Sequence, residues 1–101
     1  MSGHAIAERT SLALHREVAR RVREEPELLA RARARVASWG DRVHPHYRDR
    51  WAALLDEPLD VLCAVIEADT EESRDLRQVS PFAGFLDPAT RWRVWQEARG
   101  R

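Results

Sequence analysis

The sequence predicts an all-α domain, and three observations carry the prediction. Apolar residues recur at three- and four-residue spacing through most of the chain, with no strand-like alternation. Helix-starting chemistry, Pro26, Pro58, Asp69-Thr70 and Asp87-Pro88, stands ahead of successive apolar stripes. A chain of 101 residues, 44% hydrophobic and 34% charged, suits one folded domain with a small core. The expected architecture is a single-domain bundle of about five or six short helices, with an irregular Ser-Pro-Phe segment before the last. Residues 1–9 read as a flexible lead, 10–40 as a basic helical half, 41–45 as a linker, and 46–101 as an acidic helical half carrying the aromatic segment.

A first helix is expected from Thr10 to Glu24, capped by Thr10 or Ser11. Leu14, Val18 and Val22 share one face, and His15, Arg16, Glu17, Arg20 and Arg21 are expected in solvent. Pro26 suits the first position of a second helix. There Leu28, Leu29, Ala32, Val36 and Trp39 fall within an arc of about 100°. Arg31 and Arg35 flank that stripe on one side and Arg33 on the other, and Gly40 ends the helix. A third helix, His46 to Leu55, would bury Tyr47, Trp51, Leu54 and Leu55.

Asp56-Glu57-Pro58 starts a fourth helix reaching Ala68. Leu59, Leu62, Cys63 and Ile66 lie on one side, Val61 and Val65 nearly opposite, the pattern of a central helix or one with a partner. Asp69-Thr70-Glu71-Glu72 has the acceptor-x-x-Glu spacing of a capping box, which predicts a short helix over Glu71 to Gln78. Asp87-Pro88 caps the last helix, on which Trp92 and Trp95 share a face.

Several function classes lose their footing. No apolar run is long enough to span a bilayer, and the first residues lack the apolar stretch of a secretion signal. The lone Cys63 cannot form an internal disulfide, which fits a reducing cytoplasm. All 17 basic residues are arginine, as in a GC-rich genome; the functional counterpart is bidentate binding of carboxylate or phosphate. Net charge is zero, yet residues 1–50 carry 11 Arg against 7 acids and residues 51–101 carry 6 Arg against 10 acids. Two halves that pack on each other explain that split. A basic face for nucleic acid with an acidic face for a basic partner explains it too.

Candidate chemistry is sparse. His44 and His46, two residues apart, cannot face one ion from a helix, and no donor set completes a zinc site, so no metal or other cofactor is expected. Arg9 and His15 have the loose spacing of helical ribonucleases, arginine holding phosphate and histidine acting as acid or base; the bland reading puts both on a helix surface. There is no phosphate-cradling glycine loop and no nucleophile elbow. Asp69, Glu71 and Glu72 read as a helix start rather than a magnesium site. Arg31, Arg33 and Arg35 are the candidate contacts to a nucleic-acid backbone, against a reading as a solvated helix face.

The most informative stretch is Leu76 to Trp95. It gathers Phe82, Phe85, Trp92 and Trp95 around the backbone breakers Pro81, Gly84 and Pro88. Ser80, Pro81, Phe82, Gly84, Phe85, Trp92 and Trp95 are therefore the candidate partner-binding residues, since Trp and Arg dominate interface hot spots. The competing reading is an internal lid, with Trp92 and Trp95 packed on Trp39 or Trp51.

Leu76-Arg77-Gln78, Ser80-Pro81-Phe82-Ala83-Gly84, Leu86-Asp87-Pro88, Arg91-Trp92 and Val94-Trp95 together resemble a C-terminal signature of small bacterial antitoxin-like proteins encoded in two-gene operons. The match covers about a fifth of the chain. The resemblance implies a non-enzymatic protein that neutralises a toxin enzyme, such as a nucleotidyltransferase, by direct contact. Acidic residues of the second half would meet basic surface on that toxin. Operator DNA, bound through the basic first half, and a second copy of the chain are the further partners the reading allows.

Overall fold

The computed structural model describes residues 3–100, and every regular element among them is helical. Helix α1 spans Gly3–Glu24, α2 Leu29–Trp39, α3 Pro45–Leu55, α4 Leu59–Glu67, α5 Glu71–Arg77 and α6 Pro88–Arg99. Single 3₁₀ turns at Pro26–Leu28 and Gly40–Arg42 join α1 to α2 and α2 to α3. None of these helices is long and apolar enough to cross a membrane.

Helix α1 begins seven residues before the expected Thr10, so residues 3–9 are helical where a flexible lead is expected; residues 1 and 2 lie outside the described residues. The Thr10 hydroxyl does not cap. It donates to the Ile6 carbonyl, one turn back, at 2.9 Å, a mode that lets threonine sit inside a helix. Of the later caps, that of Asp87 is as expected, while the Asp69–Glu72 capping box gives way to Thr70. Asp87 accepts from Thr90 N–H at 3.1 Å and Pro88 takes the first helical position of α6. In α5 the capping oxygen is Thr70 Oγ1, accepting from Ser73 N–H at 3.1 Å, while Asp69 pairs with Arg74. Helix α3 is capped by His44, whose Nδ1 accepts from His46 N–H at 3.0 Å.

Helix α1 is the central element, with α4, α5 and α6 packed on it, while α2 packs on α3 and α3 meets α4. Val18, Ala19 and Val22 of α1, Leu29, Ala32 and Val36 of α2, Trp51, Leu54 and Leu55 of α3 and Leu62, Cys63 and Ile66 of α4 share one buried core. On α4, Val65 packs against this core but Val61 is exposed, so the second apolar side is only half covered. Helix α6 returns along the start of α1 and buries only Val94 and Ala98. The two charge-split halves do pack on each other: Arg23 pairs with Glu67, and Arg50 with Glu72 at 3.2 Å. Such exposed pairs contribute at most about 1 kcal/mol each, so apolar burial holds the halves together.

The ten residues between α5 and α6 are irregular as expected. Phe85 N–H donates to the Phe82 carbonyl at 3.2 Å, and Gly84 adopts φ +82°. Those are the marks of a type II turn, whose third position favours glycine. A Cβ on Gly84 would meet nothing within 4 Å, so the backbone angle alone demands glycine here. Gly84→Ala is expected to cost about 1–2 kcal/mol, measured by urea unfolding followed by far-UV circular dichroism. Phe82→Ala is expected to cost about 3–5 kcal/mol in the same measurement, because its ring is buried in the core.

Candidate functional site

The aromatic segment divides into an inner and an outer half. Phe82 and Phe85 are buried, packed edge to face with ring centroids 5.3 Å apart. The Phe82 ring also meets fully buried Trp51 at 5.7 Å and His15 at 6.3 Å, both edge to face. Trp92 and Trp95 face outward. They are 57% and 37% exposed and stack on each other at 5.1 Å with planes 12° apart. The Arg99 guanidinium lies 4.6 Å over the Trp95 ring. The lid reading therefore holds for the two phenylalanines, and fails for Trp92 and Trp95, which touch neither Trp39 nor Trp51 with their rings. The local reason is the inner stripe of α6: Val94 and Ala98 are small, let α6 lie close to α1, and turn the indoles away.

The arginines proposed for nucleic acid are engaged within the chain. Arg35 Nη1 donates to the Pro81 carbonyl at 3.0 Å and to the Ala83 carbonyl. Arg33 Nη2 donates to the Leu55 carbonyl at 2.9 Å. Arg31 lies 4.8 Å over the Phe85 ring. Arg31 and Arg35 thus fasten the irregular segment to α2, and Arg33 ties α2 to the end of α3.

His15, expected in solvent, is buried. Its Nδ1 sits 2.7 Å from the Ser11 carbonyl, which can only accept, so Nδ1 carries the proton. Nε2 is then the acceptor for the Ser80 hydroxyl at 2.8 Å, and Ser80 Oγ in turn accepts from Phe82 N–H at 3.2 Å. Burial lowers the His15 pKa to about 4, with the Ser11 hydrogen bond opposing and the nearby Arg77 charge adding to the shift. A serine bonded to a histidine has the outline of a nucleophile and its base. Here no carboxylate backs the imidazole, and a base of such low pKa is weak near neutral pH. The pair works as a latch that ties the irregular segment to α1. Both nitrogens of the imidazole that the ribonuclease reading would use are thus hydrogen-bonded within the chain. A signal for this burial exists in the sequence: Leu12, His15, Ala19 and Val22 follow one another at three and four residues, and all are buried.

Arg77 is likewise buried. It donates to the Ile66 and Ala68 carbonyls at 3.2 and 2.7 Å, closing the C-terminal end of α4. His46 and the Tyr47 hydroxyl meet Asp75 at 3.1 and 2.8 Å. Among the described residues no three His, Cys, Asp or Glu side chains gather as metal ligands.

Beside the latch lies a cleft of about 170 Å³, lined by Leu14, His15, Val18, Ser80, Phe82, Ala83, Gly84, Leu86 and Arg91. Arg91 is exposed, and among the described residues neither it nor Arg99 forms an ion pair. The geometry supplies an exposed indole pair, two unpaired guanidinium groups and an adjoining small apolar cleft.

The latch carries a pH signature. The folded His15 pKa lies below the unfolded value of 6.5, so unfolding takes up a proton in the acid range. The stability it protects is complete above about pH 6.5 and is lost as pH falls toward 4, a loss of about 3 kcal/mol at 1.36 kcal/mol per unit. Urea unfolding at steps between pH 7 and 4 is expected to show that slope, and His15→Leu to remove it. No family model matches this chain, and neither a curated protein nor a solved structure is found to be significantly similar to it.

Proposed function

We propose that this chain is a protein-binding module, and in its specific form an antitoxin-like inhibitor that neutralises a toxin enzyme by direct contact. The observation that carries the reading is the stacked, solvent-facing pair Trp92–Trp95. Tryptophan beside arginine is the commonest composition of an interface hot spot. Two indoles held parallel on a helix lose little further freedom on binding. The antitoxin-like form rests on the signature from Leu76 to Trp95. Within this fold its residues serve two purposes: Leu76, Arg77, Ser80, Pro81 and Phe82 build the support, and Trp92 and Trp95 are presented by it. The role of partner anchor therefore falls to the tryptophans, since Phe82 and Phe85 are enclosed.

A nucleotidyltransferase is one target enzyme that the antitoxin-like resemblance implies. Inhibition through acidic side chains of the second half has less support, because Glu67, Asp69 and Glu72 already pair with Arg23, Arg74 and Arg50. DNA binding through Arg31, Arg33 and Arg35 has less support for the same reason.

The test is capture by the tagged full chain of the protein encoded beside it, followed by calorimetric titration. Trp92→Ala with Trp95→Ala is expected to weaken that complex by about 2–4 kcal/mol. The same variant is expected to keep the urea midpoint nearly unchanged, since both rings stand outside the core. A partner held with full affinity by the double variant would remove α6 from the interface.

A further inference from the structure

Resting on the protein-binding reading of α6, we infer that the segment docking there is acidic and apolar. One of its aliphatic or phenyl side chains enters the cleft beside Ser80, and neighbouring carboxylates pair with Arg91 and Arg99. Four observations converge on this occupant.

The first is the division of α6 into flanks. At 100° per residue, Arg91, Trp95, Arg99 and Trp92 fall within an arc of about 100°. Arg93 and Glu97 lie on the opposite flank, where Arg93 pairs with Glu97 at 3.3 Å and approaches Glu17 of α1 at 3.8 Å. The ion-paired flank is complete in itself; the tryptophan flank is not. The second is the sign of the unpaired charge. Arg91 and Arg99 have no acidic partner among the described residues, and the Trp92-to-Arg99 arc contains no acid of its own. Unpaired cations of one sign select a partner of the other, mainly by steering its approach and excluding wrong partners.

The third is continuity. Arg91 belongs to the tryptophan flank and also lines the cleft with Leu14, Val18, Phe82 and Leu86. A single bound segment can therefore touch both. The fourth is the cleft's chemistry. At about 170 Å³ it is close to the roughly 150 Å³ at which an apolar cavity accepts a benzene ring. Of its polar side chains, Ser80 and His15 are engaged with each other and with Phe82 N–H, and Arg91 at the rim is left for a carboxylate, so the rest of the cleft offers apolar contact area. That favours an apolar guest. A nucleic acid would supply anions and stacking bases, but among the described residues two unpaired cations stand on this flank, with Glu17 and Glu97 close behind, and the whole chain has zero net charge. A polypeptide with alternating carboxylate and apolar groups matches the site better.

The experiment is selection of a random twelve-residue peptide library, displayed on phage, against the immobilised full chain. Enriched peptides are expected to combine Asp or Glu with Leu, Ile or Phe. Arg91→Glu, a change at an exposed position, is expected to lower the affinity of an enriched synthetic peptide about tenfold or more. Arg93→Gln on the opposite flank is expected to change it less than about twofold. Leu14→Trp, which fills the cleft, is expected to remove selection for the apolar residue while acidic peptides are still drawn. Enrichment of Lys- or Arg-rich peptides, affinity indifferent to Arg91→Glu, or no enrichment at all would overturn the inference. So would tight binding of a labelled oligouridylate in place of peptide, or self-association of the chain that Trp95→Ala abolishes. The partner-capture experiment asks whether α6 docks a protein at all; the selected peptides report only the chemistry of what docks, so the two can fail separately.

Discussion

The contact on which the rest of this molecule depends is the edge-to-face meeting of Phe82 with Trp51. Trp51 is fully buried on α3, and Phe82 sits in a segment with no regular hydrogen bonding of its own. Once the Phe82 ring is seated, its backbone defines the turn to Phe85, its N–H holds Ser80 Oγ, and Ser80 reaches His15 on α1. Pro88 then begins α6 where Val94 and Ala98 lie against α1. An irregular segment is held here by rings and two latches, the histidine from α1 and Arg35 from α2, where a longer domain would use more core.

Arginine has an unusual share in that fastening. Lysine is absent from the sequence, and the guanidinium groups of Arg33, Arg35 and Arg77 serve backbone carbonyls that helix ends and turns leave without partners. Five donors in a planar fork allow one side chain to close two carbonyls at once, as Arg77 does at the end of α4. Part of the positive excess of the first half is used this way and another part is neutralised across the packed halves by Glu67 and Glu72. A charge map of the sequence overstates the basic surface for that reason.

The helical architecture and the start of α6 were legible because proline and short acceptors act locally: Asp87-Pro88 marks its helix through its own backbone chemistry, whereas Pro45 reads as the end of a linker until His44 caps the helix it begins. The start of α1 was not, because Thr10 and Ser11 look like caps until a back-bond to Ile6 removes the need for one. The aromatic site was legible as a place, but not as a division into inside and outside. Phe82, Phe85, Trp92 and Trp95 are all large and apolar, and which of them is covered depends on how closely α6 approaches α1. That distance is set by Val94 and Ala98, whose partners lie some eighty residues upstream. His15 was readable in principle from its place between Leu12 and Ala19, but a titratable side chain at that position reads as solvated until a hydroxyl 65 residues away is brought to it.

Sorting the tryptophans to opposite environments also gives the chain two optical reporters. Trp51 lies fully enclosed, its Nε1 without a hydrogen-bond partner, so it emits as an indole in hydrocarbon, toward the blue, until the core opens. Trp92 and Trp95 face water, which shifts indole emission toward the red, and their stacked rings at 5.1 Å are close enough for their intense far-ultraviolet transitions to couple. With partly buried Trp39 between these extremes, the short-wavelength edge of the emission follows folding, and the coupled band follows whatever covers α6. Both events can be watched in the unlabelled protein, each at its own wavelength.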